Sequence, residues 1–150
     1  MYKLSRGFTL IELIATMVIA SILASSLITG YRTYNEWLKV NEEILNMVNT
    51  LRQARDYCIE ANENFYLSID TGADTYTLEY INDNNALNLP GQNDNVFTMP
   101  SFVDFTASTV GTDLKFNILG EPTEGATITI NTDERTIEIV YPTGYIYAHN

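Results

Sequence analysis

Hydrophobic and polar positions divide the chain into three textures. From Phe8 to Ile28 the run is apolar, with Glu12 its only charge and no proline or glycine. That is about the length a helix needs to cross a hydrocarbon core. Its large apolar side chains together favour insertion by roughly 4–5 kcal/mol, and Glu12, near one end, opposes this by at most ~3 kcal/mol. From Tyr31 to about Asn62 the period is helical. Trp37, Ile44, Val48, Leu51, Ala54 and Cys58 form a stripe that Leu38, Leu45 and Met47 widen. Glu36, Lys39, Glu42, Glu43, Asn46, Arg52, Gln53, Asp56 and Glu60 are assigned to the opposite, solvent side. Gly30, between the two helical stretches, is the one weak point in helix propensity, costing roughly 1 kcal/mol relative to alanine.

After Glu63 the period falls to two. Phe65–Ile69 and Tyr76–Ile81 read as strands joined through Asp70-Thr71-Gly72-Ala73-Asp74. Asn82–Asn95, dense in Asn and Asp and holding Pro90-Gly91, reads as a surface loop. Val96–Met99 and Phe102–Phe105 flank Pro100 as an edge strand or covering loop. Leu114–Ile118, Thr127–Ile130, Thr136–Tyr141 and Tyr145–Tyr147 complete the strands, with a hairpin at Asn131–Arg135 and a turn at Pro142-Thr143-Gly144. Ile128, Ile130, Ile137, Ile139, Tyr145 and Tyr147 are read as the inward face of a half-buried antiparallel meander. The fold class expected is α+β: one long N-terminal helix packed against a C-terminal antiparallel β-sheet head.

The flanks give the apolar run a direction. Ahead of it, Lys3 and Arg6 are the only charges, so residues 1–7 are expected to stay in the cytoplasm. Beyond it, Tyr31, Tyr34 and Trp37 are spaced as an interfacial aromatic belt. A secretory signal cut near Ala24-Ser25-Ser26, or an uncleaved anchor, would also use an apolar run. Neither accounts for a carboxylate within it or a glycine at its boundary.

Composition narrows the chemistry. The 150 residues allow one external domain beside the helix, and 8 Lys+Arg against 19 Asp+Glu give a formal net charge of −11. Phosphate backbones need clustered cations, so no nucleic-acid partner is expected. Cys58 is the only cysteine, which excludes an intrachain disulfide and reads as a small buried residue. Asp70 and Asp74, or Asp83 and Asp94, gather too few ligands for a calcium site, and neither a metal nor a cofactor is expected. His149 is the only histidine and lies at the end of the chain; no nucleophile–base pair appears, so a membrane-anchored extracytoplasmic enzyme is the disfavoured alternative.

The residues Arg6-Gly7-Phe8-Thr9-Leu10-Ile11-Glu12-Leu13 closely resemble the prepilin signature of type IV pilins and type II secretion pseudopilins. The resemblance implies cleavage after Gly7 by a membrane-embedded prepilin peptidase and N-methylation of the new terminus, Phe8. The family's acid at the fifth mature position falls on Glu12, which lies one helical turn from Phe8 on the same face. In the family that glutamate is thought to pair with the N-terminal amine of the preceding subunit. Pairing recovers most of the cost of a buried charge, so the resemblance implies a carboxylate that acts as a register pin, the alternative being a Glu12 that satisfies only its own amine or stays protonated in lipid.

A second resemblance covers the head. Leu51-Arg52-Gln53-Ala54-Arg55-Asp56-Tyr57-Cys58-Ile59 and Val140-Tyr141-Pro142-Thr143-Gly144-Tyr145-Ile146 are similar to segments of the GspH/FimT-type minor pilins and pseudopilins. Phe116 and Gly120 match a phenylalanine and a glycine of that head, while Tyr145 stands where the family usually has a basic residue. The resemblance implies a pilin fold divided into a leader (1–7), a membrane and assembly helix (8–30), an amphipathic helix (31–63) and a β-rich head (64–150). It implies a minor filament subunit, at the tip or in initiation, with a major pilin or a competence or adhesive tip subunit as the alternative. The implied partners are prepilin peptidase, other pilins or pseudopilins, and an assembly platform in the membrane. The implied location is a single-pass anchor in the bacterial cytoplasmic membrane, with the head outside, and then a periplasmic or extracellular filament.

Overall fold

Helix α1 begins where a threonine and a glutamate three residues apart can satisfy free amides, and it ends on an asparagine that accepts a left-handed backbone. It spans Leu10–Ala61. At its C-terminus Asn62 has φ +56°, and Asn62 and Glu63 donate their amides to the Ile59 and Cys58 carbonyls at 3.3 and 3.0 Å. This is a Schellman closure with Asn in the place glycine usually takes. The computed structural model describes residues 8–81, 85–110, 113–131 and 135–149. The chain divides into two units, Met1–Lys39 and Val40–Asn150.

In the first unit, α1 passes through Gly30 without interruption, and nothing lies within 4 Å of that glycine's open side. The apolar side chains are exposed throughout, from Phe8 at 82% and Leu10 at 79% to Leu27 at 73%. Trp37 and Leu38, expected on the core stripe, are exposed as well.

The second unit holds the core. From α1 it takes Val40, Ile44, Met47, Val48, Leu51, Ala54 and Cys58, all buried. Leu45, also expected inside, is exposed, and Val40 takes the inward place one turn earlier. Positions 40, 44, 47, 51, 54 and 58 alternate steps of four and three, which holds one face toward the sheets.

Two four-stranded antiparallel sheets complete the unit. The first contains β1 (Phe65–Asp70), β2 (Thr75–Tyr80), β3 (Val96–Thr98) and β5 (Leu114–Phe116), in the order β3-β2-β1-β5. The second contains β4 (Phe105–Ser108), β6 (Ala126–Ile130), β7 (Arg135–Val140) and β8 (Tyr145–His149), in the order β4-β6-β7-β8. Phe65 and Phe116 face each other across β1 and β5 and stack with centroids 4.6 Å apart. Asp74 ties the sheets together. It closes the β1–β2 turn and accepts the Phe105 amide at the start of β4 at 3.0 Å.

Two expectations fail here for identifiable reasons. Asn82–Asn95 is not simply a surface loop, because Leu87 and Leu89 are fully buried and Ala86 bridges to Glu79. The two leucines are two apart with Asn88 between them, which is the strand period inside an Asn-rich stretch. In β8 the inward residue is Ile146, whereas Tyr145 is exposed and Tyr147 half-buried. The register pairs Ile146 with Ile139 and Tyr147 with Glu138, and residues directly opposite share a face. Tyr147 accordingly donates its hydroxyl to the Glu138 carboxylate, which raises the phenol's pKa.

The two glycines matched to the head family meet in this unit. Gly120 (φ +73°) and Gly144 (φ +64°) both need the left-handed region. A side chain on Gly144 would run into the Gly120 carbonyl oxygen, and one on Gly120 would lie 2.7 Å from Ile59 Cδ1 and 2.9 Å from Arg55 Cγ. Cys58, on the same helical segment, is fully buried, and burial pushes its thiol up to about 12. In the full chain in detergent at pH 8, the native thiol should therefore be alkylated only through opening of the fold. Gly144→Ala adds backbone strain of roughly 1–3 kcal/mol besides the clash, so labelling should accelerate about fivefold or more. Rapid labelling of the unaltered chain, or an unchanged rate in the variant, would contradict this packing.

Candidate assembly helix and the arginine clasp of the head

Gly7 lies outside the described residues, so the structure begins with the site at Phe8. Thr9 stands just before the first helical residue, where the free amides of a helix start need acceptors. Glu12 Oε2 accepts the Thr9 amide at 2.8 Å and the Thr9 hydroxyl at 2.8 Å, while Thr9 Oγ1 accepts the Glu12 amide at 3.3 Å. This reciprocal arrangement is a capping box. The spacing Thr9-x-x-Glu12 is its sequence mark, independent of the charge that singles Glu12 out. Glu12 thus has a local partner: it sits at the positive end of the helix dipole, bonded to its own backbone.

Beyond Glu12 the segment offers no other charge up to Ile28, and its hydroxyls are bonded within the helix. Thr16 Oγ1 donates to the Leu13 carbonyl at 2.8 Å, Ser21 Oγ to Val18 at 2.8 Å and Ser25 Oγ to Ser21 at 2.9 Å. Ser26 and Thr29 do the same one turn back. Such back-bonding leaves no hydroxyl unsatisfied in an apolar surround. Ala24-Ser25-Ser26 is therefore mid-helix. By length and composition α1 can cross a membrane. Tyr34 and Trp37 stack at 6.3 Å further along.

In the second unit the residues matched to the head family converge. Arg52 was assigned to the solvent side, yet its Nε and Nη2 donate to the Ile146 carbonyl, Nε at 2.9 Å. Its guanidinium also lies 5.5 Å from the centre of the Tyr145 ring. Arg55 Nη1 donates to the Gly144 carbonyl at 2.8 Å. The two arginines are three apart and so on one helix face; Arg52 caps a carbonyl of β8, the edge strand of its sheet, and Arg55 caps that of Gly144 in the turn just before it. The departure at Tyr145 acquires a role here, since the ring supplies the face on which Arg52 rests.

The acids proposed as weak cation ligands are engaged elsewhere. Asp70 Oδ1 accepts the Gly72 and Ala73 amides, and Asp94 Oδ1 accepts that of Val96. Asp83 lies outside the described residues. Among the described residues no three His, Cys, Asp or Glu side chains group as a metal site. Asp104 has its carboxyl pKa raised by desolvation and by the charge of Asp74.

Residues 2–28 match the family described as the prokaryotic N-terminal methylation motif. No curated protein sequence matches the chain. The type IV minor pilin FimU of Pseudomonas aeruginosa (strain PAO1) superposes with a TM-score of 0.57 at 12% identity, over 78% of this chain and 92% of that one. The minor pseudopilin EpsH from the type 2 secretion system of Vibrio cholerae gives 0.57 at 16% identity, over 73% and 95%.

Because Gln can cap as Glu does, capping at position 12 is separable from the charge there. Glu12→Ala should fray the first turn by about 1 kcal/mol, speeding amide exchange at Ile11–Leu13 about fivefold in detergent, whereas Glu12→Gln should not. Equal exchange in all three chains would remove the capping role. The chain thus carries the N-terminal methylation motif and has the fold of the minor pilins and pseudopilins.

Proposed function

We propose that the chain is a minor pilin or pseudopilin, a structural and non-enzymatic subunit that waits in the cytoplasmic membrane and is then built into a filament. The observation that carries this reading is the wholly exposed apolar surface from Phe8 to Ile28 on a helix that also bears the methylation motif. Such a surface is unstable in water, at about 25 cal/mol for each Å² of apolar area. Lipid covers it before assembly, and neighbouring helices cover it afterwards. Prepilin peptidase cuts after Gly7, leaving Phe8 as the methylated terminus and keeping residues 8–30 as the assembly helix. The mid-helical, internally bonded state of Ala24-Ser25-Ser26 supports this over a cut that discards the helix.

In this reading Glu12 has two successive partners. The capping box keeps its carboxylate hydrogen-bonded while the subunit is alone. On assembly, the carboxylate meets the ammonium of a neighbour's Phe8, and the ion pair sets the axial step. The membrane assembly platform and other pilins or pseudopilins are the partners, and the head lies outside the cytoplasm. The likeness of the head to FimU and EpsH, over more than nine-tenths of each, supports a minor rather than a major subunit.

Two experiments test the reading in the producing cell. Replacing Gly7 with a bulky residue should leave a full-length precursor on a gel, and normal trimming would refute the cleavage site. Glu12→Gln should be trimmed normally but enter filaments at least about tenfold less, since the amine would lose its charged partner. Full incorporation of Glu12→Gln would leave the carboxylate with capping alone.

A further inference from the structure

We infer, resting on the filament reading above, that the surface around the Gly120–Gly144 contact docks a different filament subunit, one that presents apolar residues ringed by Lys and Arg, and not a second copy of this chain. Eight large hydrophobic side chains of the second unit are exposed among the described residues, and five of them gather in one place. Ile118 and Leu119 lead into Gly120, Tyr141 and Tyr145 flank the turn that carries Gly144, and Ile59 reaches from α1 toward Gly120. Leu119 is 67% exposed and Tyr141 61%. Scattered exposed hydrophobics need no explanation, but a cluster marks a surface meant to be covered.

Charge identifies the occupant. Setting aside Lys3, Arg6, Arg32, Lys39, Glu12 and Glu36, residues 40–150 hold four Lys and Arg against 17 Asp and Glu, a formal charge of −13. Two of those four cations, Arg52 and Arg55, border the cluster, yet both are already tied to backbone carbonyls, of Ile146 in β8 and of Gly144 in the turn before it, and Arg55 also sits 3.4 Å from Asp56. The exposed acids Glu60, Glu121 and Glu124 adjoin Ile59, Gly120 and Gly125. Gly125 in turn lies against Tyr141. A second copy would bring like charge onto like, which costs affinity and specificity, while a cationic rim would be attracted. A subunit that repels its own copies in this way is suited to single places beside other subunits.

The test uses the full chain in its own cells, with the photo-cross-linking residue p-benzoylphenylalanine at Leu119. After irradiation, sheared filaments should yield one main adduct, with another filament subunit whose cross-linked peptide is flanked by Lys or Arg. Glu121→Lys combined with Glu124→Lys should lower its yield about tenfold. Slow Cys58 alkylation would certify that this variant remains folded. An adduct between two copies of this chain, no adduct from chain present in the fibres, a partner peptide without cations, or a yield untouched by charge reversal would each overturn the inference and leave the filament reading intact. Absence of the chain from filaments altogether would instead defeat both.

Discussion

An apolar helical surface with nothing of its own to cover it is the constraint on which the remainder depends. From Phe8 to Ile28 the side chains face outward, and every described hydroxyl among them that could strand a donor bonds back into the helix. Hydrocarbon satisfies such a segment, and so does a bundle of its own kind. The hydrophobic term is non-directional, so it permits exchange between the two without favouring any register. Direction must come from polar groups. Glu12 is the charged group at that end, with the amine of Phe8 as its counterpart under the proposed cleavage, and a carboxylate in an apolar surround is costly enough to choose one position among many.

The capping box refines this account. A carboxylate buried with no partner would tend to neutralise or drag water with it. Here Thr9 supplies an amide and a hydroxyl, so Glu12 can reside near the hydrocarbon while hydrogen-bonded and still offer its second oxygen. Local structure thereby prepares the group that assembly would use. At the other end of the chain, Arg52 and Arg55 perform a comparable service for β8. Arg52 occupies an edge carbonyl that would otherwise invite strand pairing, Arg55 holds the turn that leads into β8, and together they tie the helix to β8 beside the Gly120 loop.

How far these features were legible depended on the range of the interaction. The apolar run, the helical stripe and most strands follow from periodicity, and the prepilin resemblance from contiguous residues. The strand period is hidden where it is short and set in an Asn-rich stretch, as at Leu87 and Leu89, and where phase depends on a partner strand, as at Tyr145 and Tyr147. Arg52 looked like a solvent residue because charge was weighed without its long apolar stem, which lets the guanidinium reach Ile146 on a strand 94 residues away. Leu45 and Trp37 were misassigned because an apolar residue near a stripe need not lie on it. Thr9 was readable from the spacing Thr-x-x-Glu alone.

Intact-mass and terminal-peptide spectrometry on chain recovered from sheared filaments reads out whether the apolar segment survives processing. The chain should begin at a methylated Phe8 and keep the whole apolar segment. A chain that begins at Met1, or one cut near Ala24 so that the segment is lost, would contradict it.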